Sequence, residues 1–439
     1  MVESGTVDCV IVGAGAAGLA AANELCRHAR SVCVLAARNR IGGRVFTVHE
    51  SGTSVPIELG AEFIHGESAC TFGQLRAAGD VAIDVPLRRW ILRDRHLRPA
   101  DVVFDALKRQ LRQVRKPRVD VSLAAFLDKH RSSLSPSVRA LASMLAEGFD
   151  AADPQRISAL ELLQEWSGGA AADGPTFRPG RGYGALIDSM HASLDPRRVS
   201  LRLGTIVRHI EWRNGRVVVH ATRHGGAVRI QSRRAIITLP LGVLQLSKQA
   251  DPAVTFLPEL GQKRNALRQL AVGAVIKLVL RFDHAFWFEI ARGRYREAAF
   301  LLAADAPFPT IWTSLPVRAP LLVAWAGGPK AVELMSLTQD QLLGRALQTL
   351  RMLFGHSVPL ERHLQSVHWH DWQHDAYACG AYSYALAGAA RARASLRRPV
   401  SNTLFFAGEA TSENESASVG GAIGSGRRAA IEVLRSEDS

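Results

Sequence analysis

Val7-Asp8-Cys9-Val10-Ile11-Val12-Gly13-Ala14-Gly15-Ala16-Ala17-Gly18 decides the fold. A short, mostly apolar run reads as a strand buried on both faces. It leads directly into glycines in the G-x-G-x-x-G register. Gly13 permits the tight turn, Gly15 lets backbone approach a pyrophosphate, and Gly18 lets helix pack on strand. The Ala-rich stretch 19–25 predicts a helix. Its first N–H groups and positive dipole end would face phosphate. A second strand is expected over 31–35. This context makes the glycines a dinucleotide-binding unit rather than merely a flexible turn.

One position departs from the pattern. The second strand normally ends in an acidic residue that holds ribose hydroxyls, and here that residue is Ala36. The missing charged hydrogen bond is worth about 1.5–3 kcal/mol. The adenosine end is therefore expected to be held less tightly, or by another group. Arg38-Asn39-Arg40-Ile41-Gly42-Gly43-Arg44-Val45 follows. A plain nicotinamide-binding unit has no use for it. Gly-Gly allows a sharp loop and Arg44 brings a cation toward phosphate, a pattern that resembles the second glutathione-reductase-type segment of large flavoproteins. The alternative is a solvated basic loop. Far along the chain, Leu404-Phe405-Phe406-Ala407-Gly408-Glu409 and a Gly-rich helix start ending in Gly424-Ser425-Gly426 read as a strand, an acidic turn and a helix closing on the same ligand.

Between these ends, 89–180 reads as mainly helical, with apolar spacing near three to four over 123–130, 138–149 and 158–166, punctuated at Asp153-Pro154 and over 168–180. Strands are expected over 207–212, 216–221 and 227–231, joined at Asn214-Gly215 and Gly225-Gly226. A separate strand over 235–240 would return to the nucleotide sheet. The expected organisation is a discontinuous nucleotide-binding domain (1–88, 181–245 and 395–439). A second domain takes 89–180 and 246–394, with a helical subdomain at about 89–180.

Composition narrows the function classes. The chain has 439 residues, 47% hydrophobic and 21% charged, an ordinary globular balance. No run approaches the roughly twenty apolar residues of a membrane span. The first strand begins almost at once, which predicts no leader, no membrane anchor and a cytoplasmic location. Five dispersed cysteines fit neither a disulfide framework nor a zinc site. His363, His368, His370 and His374 lie close in sequence without a recognised metal pattern, and no metal is expected. The net charge of +14 is spread along the chain and densest over 108–118. That stretch reads as a solvated helix face, with nucleic-acid binding as the less favoured alternative.

Three features carry chemistry. Lys277 interrupts the apolar strand Ala274-Val275-Ile276-Lys277-Leu278-Val279-Leu280. It is either exposed on an edge or a buried amine that needs a partner. Glu58-Leu59-Gly60-Ala61-Glu62-Phe63-Ile64-His65-Gly66-Glu67 is either a charged loop or a wall where Glu62, His65 and Glu67 meet a cationic substrate. Trp372, Tyr377, Tyr382 and Tyr384 form either an aromatic core or an aromatic wall for an amine.

With these motifs together the chain resembles the flavin-containing amine oxidases, the group that includes monoamine and polyamine oxidases. The resemblance runs nearly full length and is weakest over about 89–180 and 285–365. It implies an α/β fold: an FAD-binding, Rossmann-like (glutathione-reductase-type) domain interleaved with a substrate domain of mixed sheet plus helices. It further implies that Gly13, Gly15, Ala16, Gly18, Arg38, Gly42, Gly43 and Arg44 line the adenosine and pyrophosphate. Val207 would serve the adenine side. Gly60, Ala61 and Glu62 would pass near the flavin ring, Gly408 and Glu409 would hold the ribityl chain, and Val419 and Ala422 would cover the pyrimidine end. Lys277 matches the lysine that holds a water near the flavin, Trp372 a ring-flanking tryptophan, and Tyr382 one wall of the amine cage. The other wall aligns with Ser418, which together with Glu62 and His65 looks more similar to polyamine oxidases. Covalent-flavin members carry cysteine where this chain has Ala381, so the FAD is expected to be non-covalent. The implied reaction is oxidation of an amine to an imine, with dioxygen going to hydrogen peroxide; the oligomeric state is left open. Two alternatives stand beside it: a carbon–carbon desaturase or porphyrinogen-type oxidase on the same fold, and a non-catalytic flavin-bound scaffold.

Overall fold

The computed structural model describes residues 2–3, 6–53, 55–167 and 174–436. Part of the Gly-rich punctuation expected over 168–180 thus lies outside the described residues. Val7–Val12 is buried on both faces and lies parallel to Val32–Leu35, which in turn lies parallel to Val199–Arg202. Side chains alternate along it. Cys9 and Ile11 face helices Ala16–Arg27 and Val419–Arg435, while Val10 and Val12 face the strands 205–237.

Gly226–Ile237 is one twelve-residue strand, not the two expected from sequence. Its first half pairs antiparallel with Arg216–Arg223, and its second half lies parallel between Val7–Val12 and Leu404–Phe406. Arg233-Arg234 had interrupted the apolar pattern. The backbone continues because Arg234 points outward to the far terminus, donating to Ser436 Oγ at 3.0 Å and to its carbonyl at 3.1 Å. Thr255–Leu257 adds to this sheet beside Thr205–Arg213, so the sheet extends past the division drawn from sequence at residue 245.

A second, seven-stranded sheet runs in the order Leu364–Trp369, Val275–Phe282, Leu321–Gly327, Thr310–Thr313, Phe300–Leu302, Arg89–Arg93, His96–Pro99. Its last two strands form a hairpin in a stretch expected to be helical. The turn is Asp94-Arg95, both at positive φ (49° and 61°), a conformation sequence reading assigns to Asn-Gly rather than Asp-Arg. The helical block follows as Asp101–Gln113, Leu123–Lys129, Pro136–Gly148 and Ala159–Ser167. In the first of these, Val103, Phe104 and Leu107 are buried while Lys108, Arg109 and Arg112 are exposed. Among the described residues, no helix is long and apolar enough to cross a membrane.

Candidate active site

A cavity of about 1220 Å³ runs from the first strand's glycine turn to the second sheet, beyond the roughly 300–1,000 Å³ of ordinary small-ligand sites. One end is lined by Gly13, Gly15, Ala16, Arg38, Gly42, Gly43, Arg44 and Val207; further along come Gly60, Ala61, Trp372, Gly408, Glu409, Val419 and Ala422. The fit to a dinucleotide rests on the glycine turn. A Cβ on Gly18 would lie 1.9 Å from the Gly13 carbonyl oxygen, so Gly18 serves helix–strand packing and lies outside the lining. On Gly15 a Cβ would meet no protein atom closer than 3.7 Å; the free room there belongs to the cavity. The helix behind it begins at Ala16 without a side-chain cap, leaving its first N–H groups available to an anion.

The three arginines of the following loop separate in role. Arg40 clamps the loop itself, donating to the carbonyls of Ile41, Gly43 and Val45 at 2.9–3.1 Å. Arg38 makes a two-pronged ion pair with Asp375 (2.7 and 2.5 Å), which His370 also reaches at 2.6 Å. Arg44 pairs with Glu409 at 3.0 Å and donates to the Ala381 carbonyl. Ala36 is buried at the cavity edge, and Asp375 is spent on Arg38 and His370 outside the lining. Ala36→Glu is therefore expected to tighten FAD at least about tenfold by restoring a charged hydrogen bond. Fluorescence titration of the apoprotein checks this, and unchanged affinity would mean another group already holds the ribose.

The carboxylates of the 58–67 segment do not converge. Glu58 turns inward to Thr47 Oγ1 (2.7 Å) and the Tyr183 amide (2.6 Å), where burial pushes its pKa up to about 7. Glu67 is exposed and lies outside the lining. Glu62 lies in the wall with Lys277 2.7 Å from Oε2. Lys277 is buried (3% exposed) and also donates to the Gly60 carbonyl at 3.2 Å, so it is not an edge lysine. Glu62 Oε1 accepts from Arg178 Nε at 2.9 Å and Trp312 Nε1 at 3.0 Å. Burial alone would raise the Glu62 pKa, but Lys277 and Arg178 hold it below the usual carboxylate range. Glu62 is thus a buried counter-ion rather than a free acid facing substrate. His65 is exposed where it lines the cavity, 4.6 Å from the Phe149 ring, and lies deep enough in the protein that desolvation lowers its pKa to about 4.

The aromatic residues divide similarly. Trp372 lies in the wall, its indole donating to the Leu59 carbonyl at 2.8 Å. Tyr382 donates to the Phe149 carbonyl at 2.7 Å, Tyr377 stacks on Arg38, and Tyr384 packs among the helices. Ser418 lines the cavity, but its hydroxyl caps the last helix by accepting from the Gly421 amide at 2.9 Å. Each of the four clustered histidines pairs with a carboxylate: His363 with Asp283, His368 with Glu50, His370 with Asp375, and His374 with Asp371. Among the described residues, the group compact enough for a metal is Asp283, His284 and His363, at the surface away from the cavity.

Sequence reading missed the cavity's other charged end. Asp150, Glu161 and Glu165 all line it, beside Arg393. Asp150 is half-buried, and its Oδ2 is enclosed with no hydrogen-bond partner among the described residues. Burial, then Glu165 and Glu161, push its carboxyl well above the usual range, with Arg393 opposing. Glu165 is raised to about 7 by burial and Glu161. Asp150 follows an apolar helix and precedes Asp153-Pro154, so only a turn was legible there. Arg178 likewise sits in the short strand Thr176–Pro179, just past the Gly-rich stretch.

Comparison with known proteins identifies the family of the chain. The family described as flavin containing amine oxidoreductase matches residues 16–80 and 95–434. Polyamine oxidase 3 of Oryza sativa subsp. japonica is 29% identical over 98% of this chain and 90% of its own length. Lysine-specific histone demethylase 1 homolog 3 of Arabidopsis thaliana is 28% identical over 97% of this chain, which spans 30% of that protein. The structure of wild-type putrescine oxidase bound to putrescine superimposes with a TM-score of 0.82 at 20% identity, covering 99% of this chain and 100% of the other. The interleaved α/β fold and the buried lysine sit within a match that spans most of the chain and begins at Ala16, just past Gly13 and Gly15: this protein belongs to the flavin-containing amine oxidoreductases.

Proposed function

We propose that this protein is an FAD-dependent oxidase of amines that carry a second positive charge, diamines or polyamines, with dioxygen as acceptor and hydrogen peroxide as product. The observation that carries the reading is the carboxylate cluster on the cavity wall. Among the described residues, Asp150, Glu161 and Glu165 face one cation, Arg393, and Asp150 Oδ2 has no hydrogen-bond partner. Burial and mutual repulsion make these carboxyls hold their protons, and an ammonium arriving there offsets that repulsion, so binding the cation and ionising the cluster favour each other. The names of the rice polyamine oxidase and of putrescine oxidase support the same substrate class.

Bound FAD would supply the oxidising power, taking two electrons and a proton from the carbon–nitrogen unit and passing electrons to dioxygen. The remaining tasks fall to the chain. The reacting nitrogen must be neutral for its lone pair to drive loss of hydrogen from the adjacent carbon. The apolar surface of Phe149, Trp372 and Tyr382 disfavours an ammonium there. With a pKa of about 4, His65 is neutral at pH 7 and accepts a hydrogen bond from that nitrogen without repelling a cation. Lys277 gives one N–H to Glu62 and one to Gly60, leaving a third to hold a water. The imine then hydrolyses to an aldehyde or ketone and a smaller amine. The lining contains no cysteine among the described residues, and Cys379 lies outside it, which supports non-covalent FAD. None of the five cysteines forms a disulfide, which supports a reducing, cytoplasmic setting; recovery of the protein from an exported fraction would refute that setting.

Anaerobic titration of the purified protein with matched mono-, di- and polyamines tests the reading. Bleaching of the oxidised-flavin band at lower concentrations of diamine than of monoamine is expected, with denaturation releasing the flavin. A flavin band that no amine bleaches would refute amine oxidation and favour the desaturase or scaffold alternatives.

A further inference from the structure

The acidic end of the cavity and the cofactor end are joined by a chain of polar contacts whose centre, Arg393, Ser383 and Glu409, is buried. Arg393, in the helix Ala392–Arg397, has a side chain only 8% exposed. On one side its Nε reaches Glu161 Oε1 at 3.1 Å. On the other, Nη1 donates to Ser383 Oγ at 2.8 Å and Nη2 to the Ser383 carbonyl at 3.2 Å. Ser383 donates from Oγ to Glu409 Oε2 at 2.6 Å, and its amide reaches the same oxygen at 3.3 Å. Glu409 Oε1 accepts from Arg44 Nη1 at 3.0 Å. Glu161 lines the acidic end, whereas Glu409 and Arg44 line the stretch beyond the glycine turn.

We propose that Arg393 is a positioning residue that couples cation binding at the acidic end of the cavity to the grip of Glu409 and Arg44 on the cofactor. The proposal rests on the cationic-substrate reading above. A guanidinium is planar with its donors in a fixed fork, so its two sides move as one. Without substrate its charge is divided between Glu161 and the Ser383–Glu409 pair. An ammonium that takes Glu161 releases Nε, and the charge of Arg393 then acts on Ser383 and Glu409 alone. Glu409 is held ionised and fixed, and the cofactor end tightens. Coupling between two sites is reciprocal, so bound FAD equally favours a cation at the far end. Arg393 is also a like charge beside the arriving ammonium, so removing it has opposite effects on the two ligands: the cation gains and the cofactor loses.

The test uses the holoenzyme and a bis(trimethylammonium)butane dication, which carries two charges but no nitrogen lone pair and is therefore not oxidised. Its binding is measured by calorimetry, and FAD affinity by fluorescence of flavin released on dilution. In the wild type, saturating dication is expected to tighten FAD at least about fivefold. In Arg393→Met, FAD is expected to bind at least about tenfold more weakly, the dication no more weakly than before, and the coupling to disappear. Ser383→Ala breaks the chain at its other joint, leaves Glu161–Arg393 intact, and is expected to lose the coupling while keeping dication affinity; it carries the test if Arg393→Met fails to fold. Coupling that persists in both variants overturns the proposal, as does equal weakening of both ligands in Arg393→Met, the signature of plain structural damage. Dication binding without coupling in the wild type overturns this proposal alone, whereas absence of dication binding overturns the cationic-substrate reading with it.

Discussion

Lys277→Met is expected to slow flavin reduction or reoxidation at least about tenfold, about 1.4 kcal/mol, and to cost stability at the same time. The two effects have separate origins. The rate effect comes from losing the only N–H of Lys277 not bound by Glu62 or Gly60. The stability effect comes from Glu62, a buried carboxylate that loses one of its two cations. Breaking a buried pair by removing one partner typically costs about 3–5 kcal/mol. Here Arg178 and Trp312 stay on Oε1, which points to the lower end. Adding Glu62→Gln removes the stranded charge, so the double variant is expected to recover part of the stability and none of the rate. Stopped-flow measurement of the two half-reactions, alongside denaturant unfolding of both variants, separates these outcomes. Half-reactions that proceed at the wild-type rate would remove Lys277 from the chemistry.

What could be read in advance follows from the range of the interactions involved. The glycine turn, the adjoining strand and the closing strand over 404–406 are specified by neighbours in sequence, through turn geometry and period-two burial, and those elements were legible. The lysine was legible as an anomaly, because one charge within an apolar strand demands a partner, but the partner was not. Arg178 and Glu62 are 116 residues apart and Arg393 and Glu161 are 232 apart, and nothing local to any of the four announces the pairing. Glu62 shows the same limit: its acidity and its place beside the cavity were visible, and the cations that neutralise it were not. The same holds for the strand Gly226–Ile237, divided on paper at Arg233-Arg234 and continuous in space because Arg234 is satisfied by Ser436. Asp150 was invisible because its isolation, the property that matters, is a fact about what surrounds it.

Asp150→Asn is expected to move activity and stability in opposite directions. For a diamine, kcat/KM should fall at least about tenfold, about 1.4 kcal/mol, because the amide cannot ionise against the arriving ammonium as the crowded carboxyl can. A monoamine of matched length, with nothing to place at that end, should be unaffected. Stability should rise, because the wild-type carboxyl is buried beside Glu165 and Glu161 with one oxygen unpartnered. The pH dependence follows from the same shifts. Asp150 and Glu165 have pKa values raised by folding, Glu165 to about 7, so the native state binds protons more strongly than the unfolded chain. Unfolding free energy therefore falls as pH rises from the ordinary carboxylate range through about 7. The substituted protein should show a shallower fall and a higher melting temperature at pH 8 than the wild type. Diamine binding runs the other way: protonating Glu165 removes an attracting charge, so KM in the wild type should climb as pH drops through 7. A generally damaged protein would lose stability and lose both substrates together. A gain in stability confined to high pH, with loss of the diamine alone, is the signature of a crowded carboxyl that ionises when a cation arrives to meet it.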